Sequence, residues 1–407
     1  MEYSGSSYCR SWSELPGDTI QLISEKTVDV ADFVRLRAVC SSWRCAAQRP
    51  SKMATQLPWL MLNNDNPLSE TRRFLCPASG EEYTLFLPEA VACKISGSSH
   101  GWLVLFRLPT GAVSLLNPFT RVQIPLPSLS SFPRKLHYDA ADSEEYDGES
   151  EDDEEEYERK SEEEGNFYTC RVSLSSSPTM SSDCVVMAIK ENSNVFAYCR
   201  PGDDAWTFVQ TTLHYNIWSI TYKDGRFYVM DFQGSGEVRY AAHPFTLIGE
   251  IQRCPFGSIP SVSFGLIESC CILSSDPNNT ELVMVVHTEK LGRRSGFQSF
   301  NAFMLSLPVP DPATKQTGMR IRGWRENESL SEHALFWAGG QFLTMDASRF
   351  AGIINGNCVY YPVYENARYY VKQFKPNEKT SCRTAPPPPR EGVYFNQLPM
   401  WIAPTLC

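Results

Sequence analysis

From about residue 57 onward the chain is written as short apolar or alternating runs parted by turn residues, with few long helical patterns between them. This pattern bounds the fold tightly, because strands of this length bury their apolar faces only in a few all-β architectures. Residues 101–106 (GWLVLF) and 112–116 (AVSLL) flank LPTG at 108–111 and read as strand, turn, strand. Residues 194–199 (NVFAYC) and 205–209 (AWTFV) flank RPGDD in the same way. Residues 226–232 (RFYVMDF) and 237–242 (EVRYAA) flank QGSG. A later pair sets 341–345 (QFLTM) with 357–363 (NCVYYPV).

A faint internal repeat favours one architecture. Asn117-Pro118-Phe119-Thr120 ends one strand pair and His243-Pro244-Phe245-Thr246 ends another, 126 residues later, which is three steps of 42. Each follows a glycine-led strand start, Gly101-Trp102 or Gly225-Arg226-Phe227. Propeller blades repeat at roughly 40–50 residues, and radial repetition protects sheet edges. A sandwich of this length would need two domains, and no linker is visible after Glu164. The expected body is therefore a β-propeller. Roughly 330 residues at about 42–47 per blade give about seven blades.

Residues 12–48 (WSELPGDTIQLISEKTVDVADFVRLRAVCSSWRCAAQ) differ in kind. Two helical patterns fall within them. Leu15-Pro16 opens the first, which carries Ile20 and Ile23 on one face, and proline suits a first turn because its missing N–H costs nothing there. Asp29 is a good N-cap for the second, with Asp32 three positions on. Along it Phe33, Leu36, Val39/Cys40, Trp43 and Ala47 recur at helical spacing. A unit this small rarely folds alone, so its apolar surface needs the rest of the chain or another protein.

Leu15-Pro16-x-Asp18, then Ile20 and Ile23, then Leu36-x-x-Val39-Cys40-x-x-Trp43-Arg44 resembles an F-box, with 24 residues from Leu15 to Val39 as in that family. The other reading of these residues is an amphipathic helical hairpin that caps the next domain. The resemblance implies docking on a Skp-type adaptor, and through it on a cullin–RING ubiquitin ligase. It implies that Leu15, Pro16, Ile20, Ile23, Leu36, Val39, Cys40 and Trp43 form the adaptor-facing or core apolar set, without dividing them between those roles.

The body resembles the plant F-box proteins that carry a KIB-type β-propeller. The likeness lies in residues 99–127 (SHGWLVLF…LLNPFTRVQIPLP), 197–207 (AYCRPGDDAWT), 222–231 (YKDGRFYVMD) and 398–406 (LPMWIAPTL), in that order behind the F-box. The implied organisation is a flexible N-terminus at 1–10, an F-box at 11–50, a propeller body at 51–380 and a Pro-rich connector with a terminal strand at 381–407. Pairing of that last strand with the first blade would close the ring. The implied function is a substrate receptor: the F-box holds the adaptor and the propeller holds a target protein, whose identity and contact loops the sequence leaves open. No catalysis by the chain itself is expected. The alternative is a propeller scaffold that directs no ubiquitylation.

The formal charge of −10 is local. Residues 139–164 hold 16 acidic and two basic residues, a net of −14, and the remainder carries 35 basic and 31 acidic, a net of +4. Such a block repels itself and has little to bury, so it is expected to be a disordered insertion in an inter-strand loop. It is either a solvated loop or a regulatory segment, with Ser143, Ser150 and Ser161 each ahead of acidic residues as candidate phosphorylation sites. The basic residues elsewhere are dispersed, so no nucleic-acid partner is expected. The start, MEYSGSSYCRSW, lacks the pattern of a signal peptide. The apolar runs at 185–189 and 282–286 are strand-length, which points away from a membrane. The 14 cysteines are scattered with no CxxC, and read as mostly reduced, buried apolar residues of a nuclear or cytoplasmic protein.

No cofactor or metal site is expected. Gly97-Ser98-Ser99-His100-Gly101 matches G-x-S-x-G, but a nucleophile elbow needs a helix after the serine, and a strand follows here. The six histidines show no zinc-ligand spacing. Gly339-Gly340 hints at a kelch-like double glycine, which a tight turn explains equally well. Trp102, Trp206, Trp218, Trp324 and Trp337 read as blade-packing anchors.

Overall fold

The structure, a computed structural model, describes residues 12–26, 30–48, 56–63, 66, 68–107, 110–128, 170–190, 195–213, 217–223, 225–231, 235–240, 247–252, 265–276, 279–290, 296–307, 319–321, 325–327, 329–338, 341–365, 368–375, 380–382 and 399–405. The acidic insertion with Ser143, Ser150 and Ser161 lies outside these residues. So do residues 1–10, Asp29, the motif at 243–246, Trp324, Gly339-Gly340 and the proline run at 386–389. Two compact units divide between Leu57 and Pro58.

The N-terminal unit holds a 3-10 turn at Trp12–Glu14 and three helices, α1 (Gly17–Lys26), α2 (Val30–Ala38) and α3 (Ser41–Ala46). Pro16 opens α1, its carbonyl accepting from Thr19 N at 3.0 Å and Ile20 N at 3.2 Å. The single second helix expected from the spacing is broken in two. Cys40 is extended (φ −164°, ψ 173°) and stands at the N-cap of α3. The run Val39-Cys40-Ser41-Ser42 has low helix propensity, and the chain takes its turn there. The break folds α3 back onto α1 and α2. Ile20, Phe33, Trp43 and Ala47 are buried as a result.

The second unit is mainly β. Its first sheet contains β1 (Trp59–Met61), β2 (Thr71–Leu75) and β3 (Glu82–Phe86). The second contains β4 (Cys93–Ser99), β5 (Trp102–Arg107), β6 (Ala112–Leu116) and β7 (Gln123–Leu126). The third contains β8 (Cys170–Leu174), β9 (Val186–Lys190), β10 (Phe196–Cys199) and β11 (Thr207–Val209). The fourth runs β12 (Ile217–Lys223), β13 (Arg226–Asp231), β14 (Gly236–Tyr240), β15 (Leu247–Ile251), and the fifth is led by β16 (Gly265–Asp276), β17 (Asn279–Lys290) and β18 (Gly296–Leu307). Later segments return to these two. β19 (Met319–Ile321) joins β15 in parallel, while β20 (Arg325–Asn327) pairs with β18. The sixth sheet holds β21 (His333–Ala338), β22 (Gln341–Asp346), β23 (Cys358–Glu365) and β24 (Arg368–Phe374). β25 (Thr380–Cys382) pairs with β18, and β26 (Met400–Ile402) joins the first sheet.

The inner strands β4, β8, β12, β16, β22 and β26 touch one another in turn, and β26 touches β4, so the sheets form a closed ring. Among the described residues there are six sheets, not about seven blades. The count falls short because the units are longer than assumed. The fifth sheet alone uses three 12-residue strands, and the chain between β7 and β8 spends its length outside any described strand. A second correction concerns 341–345 and 357–363. They are not neighbours, because β21 lies between β22 and β23 and pairs with β23 in parallel.

Adjacent sheets share cores through alternate residues. Val186 and Ala188 of β9 face the core shared with the second sheet, built on Trp102, Val104 and Phe106. Met187 and Ile189 of the same strand face the next core, with Phe227 and Val229. Both faces of a blade are thus covered, which is why such strands read as continuous apolar runs. Indole N–H groups tie neighbouring sheets together. Trp102 donates to Ser177 Oγ at 3.0 Å, Trp206 to the Pro127 carbonyl at 2.8 Å, and Trp401 to the Trp337 carbonyl at 3.0 Å.

The ring closes through β26, which pairs antiparallel with β1 (Trp59↔Ile402, Leu60↔Trp401, Met61↔Met400). Asn117 secures the chain after it. Its amide N–H donates to Thr405 O at 3.0 Å and Thr405 Oγ1 at 3.2 Å, while its Oδ1 accepts from Phe119 N and Thr120 N. The first of the two repeated motifs is therefore an Asx-type turn bonded to the ring seam.

Candidate functional site

In the helical unit, the eight residues singled out by spacing divide cleanly. Ile20 (1% exposed) and Trp43 (8%) are core, the Trp43 indole donating to the Trp12 carbonyl at 3.0 Å. Leu15, Leu36 and Cys40 are half-buried. Pro16, Ile23 (37%) and Val39 (54%) are exposed. Leu22 (61%) and Trp12 (74%) also lie open, and spacing missed both. Leu22 falls two positions after Ile20, about 200° round the helix, off any core-facing stripe. That offset was its signal: an apolar residue opposite the buried face. Ser24, four after Ile20, is fully buried beneath it.

In the second unit, a cavity of about 360 Å³ lies where inner strands of the ring converge. The end of β4 supplies Ser98 and Ser99, β8 supplies Arg171 and Ser173, and β12 supplies Ser219, Thr221 and Lys223. Gln341 and Thr344 of β22, and Ala403 after β26, complete this part of the wall. Gln341 braces it, its Oε1 accepting from Ser98 N at 3.1 Å. Ser98 Oγ donates to the Trp401 carbonyl, and Ser99 Oγ accepts from Leu174 N at 3.1 Å. The His100 imidazole is held below its ordinary pKa, desolvation outweighing a backbone hydrogen bond to Leu174.

Comparison with known proteins decides the family. The profile of the KIB1-4 beta-propeller matches residues 73–389. This chain belongs to the KIB1-4 β-propeller family. An F-box/kelch-repeat protein of Arabidopsis thaliana is 27% identical over 229 residues, 54% of this chain and 53% of the relative. An F-box protein of the same plant is 24% identical over 375 residues, 89% of this chain and 98% of the relative. A putative F-box protein is 29% identical over 254 residues, 61% and 62% of the two chains. The chain thus spans only about half to three-fifths of two of these three relatives and nearly all of the other. Among solved structures, a chain in the complex of KlAtg21 with the coiled coil of AgAtg16 is similar at a TM-score of 0.31 and 9% identity, over 63% of this chain and 77% of that one, too loosely to carry an argument.

The KIB1-4 propeller accounts for the remaining motifs structurally. Ser99 of the G-x-S-x-G match ends β4, and His100 (φ 49°) with Gly101 (φ 81°) forms a two-residue hairpin into β5. The segment is strand, turn, strand, as the residues after it predict. Cys93, Cys184 and Cys199 are buried free thiols whose pKa values are raised, with desolvation the leading cause. They act as small apolar side chains. Among the described residues no group of three or more His, Cys, Asp or Glu is arranged to hold a metal.

Proposed function

We propose that this chain is the substrate-recognition subunit of an SCF-type cullin–RING ubiquitin ligase. The N-terminal helices dock a Skp-type adaptor and the propeller holds a target protein. The chain itself carries out no bond-making step, since ubiquitin transfer belongs to other subunits. The reading is supported above all by the names of its relatives, F-box proteins of Arabidopsis thaliana that align along most or part of their length. The helices fit the role, because Pro16, Leu22 and Val39 are exposed on the module. A few such apolar anchors carry most of the energy of a protein contact. Tethering adaptor and target to one chain raises the effective concentration of target at the transfer site. Such a complex would work in the nucleus or cytoplasm.

Leu15→Ala with Pro16→Ala is expected to abolish capture of a purified Skp-type adaptor, while circular dichroism and the melting profile of the propeller stay as in wild type. Undiminished capture overturns the assignment. Leu22→Asp, at a more exposed position, repeats the test. If the adaptor binds and a reconstituted complex leaves the captured partner unmodified, the chain is a scaffold. The acidic segment with Ser143, Ser150 and Ser161 is proposed as a regulatory element of this receptor. Deleting residues 139–164 is expected to leave urea unfolding unchanged and to alter partner capture; unchanged capture makes it a solvated loop.

A further inference from the structure

The wall of the axial cavity mixes polar and apolar groups, and many of the polar ones are already engaged. Arg171, Lys223, Ser219 and Thr344 have partners of their own. Ser98, Ser99 and Gln341 make the hydrogen bonds that hold the wall together. Two kinds of group remain. One is a hydroxyl. Val172 and Leu174 of β8 turn into the core shared with the second sheet. Successive side chains point to opposite faces of a strand, so Ser173 between them points the other way and lines the cavity. Ser173 is 9% exposed, and its Oγ has no hydrogen-bond partner among the described residues. Thr221 of β12, half-buried, brings a second such hydroxyl to the lining. The other kind is apolar surface. All six residues of the inner strand β22 are half-buried, on both faces, whereas most of the neighbouring β21 is buried. Phe342 and Leu343 of β22 line the cavity, as does the half-buried Tyr222, whose ring centroid lies 4.9 Å from that of Phe227. A buried unpaired hydroxyl and partly open rings both cost free energy that a fitting ligand recovers.

We propose that this cavity binds a neutral hydroxyaryl group, a phenol ring against Phe342, Leu343 and Tyr222 with its hydroxyl bonded to the hydroxyls of Ser173 and Thr221. A phenol donates one hydrogen bond and accepts another, so it can satisfy two hydroxyl partners at once. Rings gain from offset or edge-on contact with other rings beyond simple burial. A purely apolar ligand would leave Ser173 unpaired. A charged ligand would lose its hydration against Phe342 and Leu343. The volume, about 360 Å³, is at the lower end of the range for small-molecule sites, of order 300–1,000 Å³, so it suits one ring with a short substituent. A free phenolic molecule and the tyrosine side chain of a partner protein carry the same group.

The site belongs to the propeller alone and stands whether or not the helices dock an adaptor. The test is ligand-observed NMR titration of the full chain with two probes, 4-ethylphenol and a blocked tripeptide with tyrosine at its centre. Saturable binding of at least one, little changed by added salt, is expected. 4-Ethylanisole, which cannot donate a hydrogen bond, and the tripeptide with phenylalanine should bind about fivefold more weakly, the effect of losing one hydrogen bond. Ser173→Ala and Thr221→Val should weaken binding of the hydroxylated probe by a similar factor and leave 4-ethylanisole unaffected, a difference that general loosening of the wall would not produce. The Ser173 hydroxyl is unpaired among the described residues, so Ser173→Ala should melt no lower than wild type. Its loss of binding is then not a loss of fold. Tighter binding of the tripeptide identifies a partner's tyrosine as the ligand, and tighter binding of 4-ethylphenol a free phenolic molecule. The proposal is overturned if neither probe binds the wild-type chain, if 4-ethylcyclohexanol binds as tightly as 4-ethylphenol, or if both hydroxyl variants bind the better probe as wild type does.

Discussion

Trp401→Ala is expected to lower the stability of the propeller by about 3–5 kcal/mol, the usual cost of truncating a buried tryptophan. A compact domain is stable by only about 5–15 kcal/mol, so this is a large fraction of the whole. The reason lies in the seam. Trp401 is 3% exposed, its indole donates to the Trp337 carbonyl, and its ring meets Phe336 edge-on at 5.0 Å. Met400 and Ile402 beside it are also buried, and the three residues pair with β1 at the other end of the unit's sequence. Removing residues 399–407 deletes all of this at once and exposes an edge of the first sheet, so that variant is expected to lose cooperative unfolding and to aggregate. Gly101 approaches the same seam from the second sheet. Its φ of +81° disfavours a side chain, and a Cβ there would collide with Thr405 Oγ1 and sit 2.7 Å from Ala403 O. Gly101→Ala is expected to weaken closure through the same contact. Urea titration followed by circular dichroism measures these effects, and a Trp401→Ala midpoint equal to wild type would remove the seam from the account.

How far the sequence foretold this fold follows from what each signal encodes. Strands such as β5, β6 and β13 were legible to within a residue or two, because buried blades write themselves as short apolar runs between turn residues. The apolar set of the N-terminal helices was legible as a stripe, but its division between buried and exposed positions was not. Burial depends on the break at Cys40, which turns Trp43 inward and leaves Val39 outside, and spacing along one continuous helix carries no trace of that break. Blade number was illegible for a different reason. Dividing length by an average repeat assumes that inserted chain is spread evenly, whereas here it is concentrated between β7 and β8 and in the fifth sheet. The order of the sixth sheet failed for want of any local signal, since nothing in 341–363 records that β21 intervenes. The axial cavity left no mark in the sequence, because its lining is gathered from β4, β8, β12 and β22, which lie far apart along the chain. In a ring of sheets covered on both faces, the polar side of an inner strand meets the axis or a neighbouring blade.

The same geometry hides a charged pair in the described core. Glu237 and Arg239 sit two apart on β14 and would face solvent in an open sheet, yet their side chains are 0% and 7% exposed, with Arg239 Nε 2.7 Å from Glu237 Oε2. Glu237 Oε1 also accepts from Thr211 Oγ1 at 2.9 Å, Thr212 N at 2.6 Å and Thr212 Oγ1 at 2.9 Å, which anchors the chain leaving β11 to the fourth sheet. Arg239 donates further to the Gln210 carbonyl at 2.6 Å and lies 5.4 Å from the Phe196 ring centroid. Breaking a buried pair from one side costs about 3–5 kcal/mol, because a charge is left without its partner. The two sides are not equivalent here. Arg239→Met leaves a carboxylate that still accepts three hydrogen bonds from Thr211 and Thr212. Glu237→Met leaves a guanidinium with one carbonyl and a ring face, and also orphans those three donors. Glu237→Met is therefore expected to cost the full about 3–5 kcal/mol and Arg239→Met less. The double variant should be less unstable than the sum of the two, since it removes the stranded charge while keeping the orphaned donors. Urea midpoints of the three variants form a closed cycle. Equal single losses, or a larger one for Arg239→Met, would mean that the threonines do not stabilise the carboxylate and that the ion pair alone holds this corner of the ring.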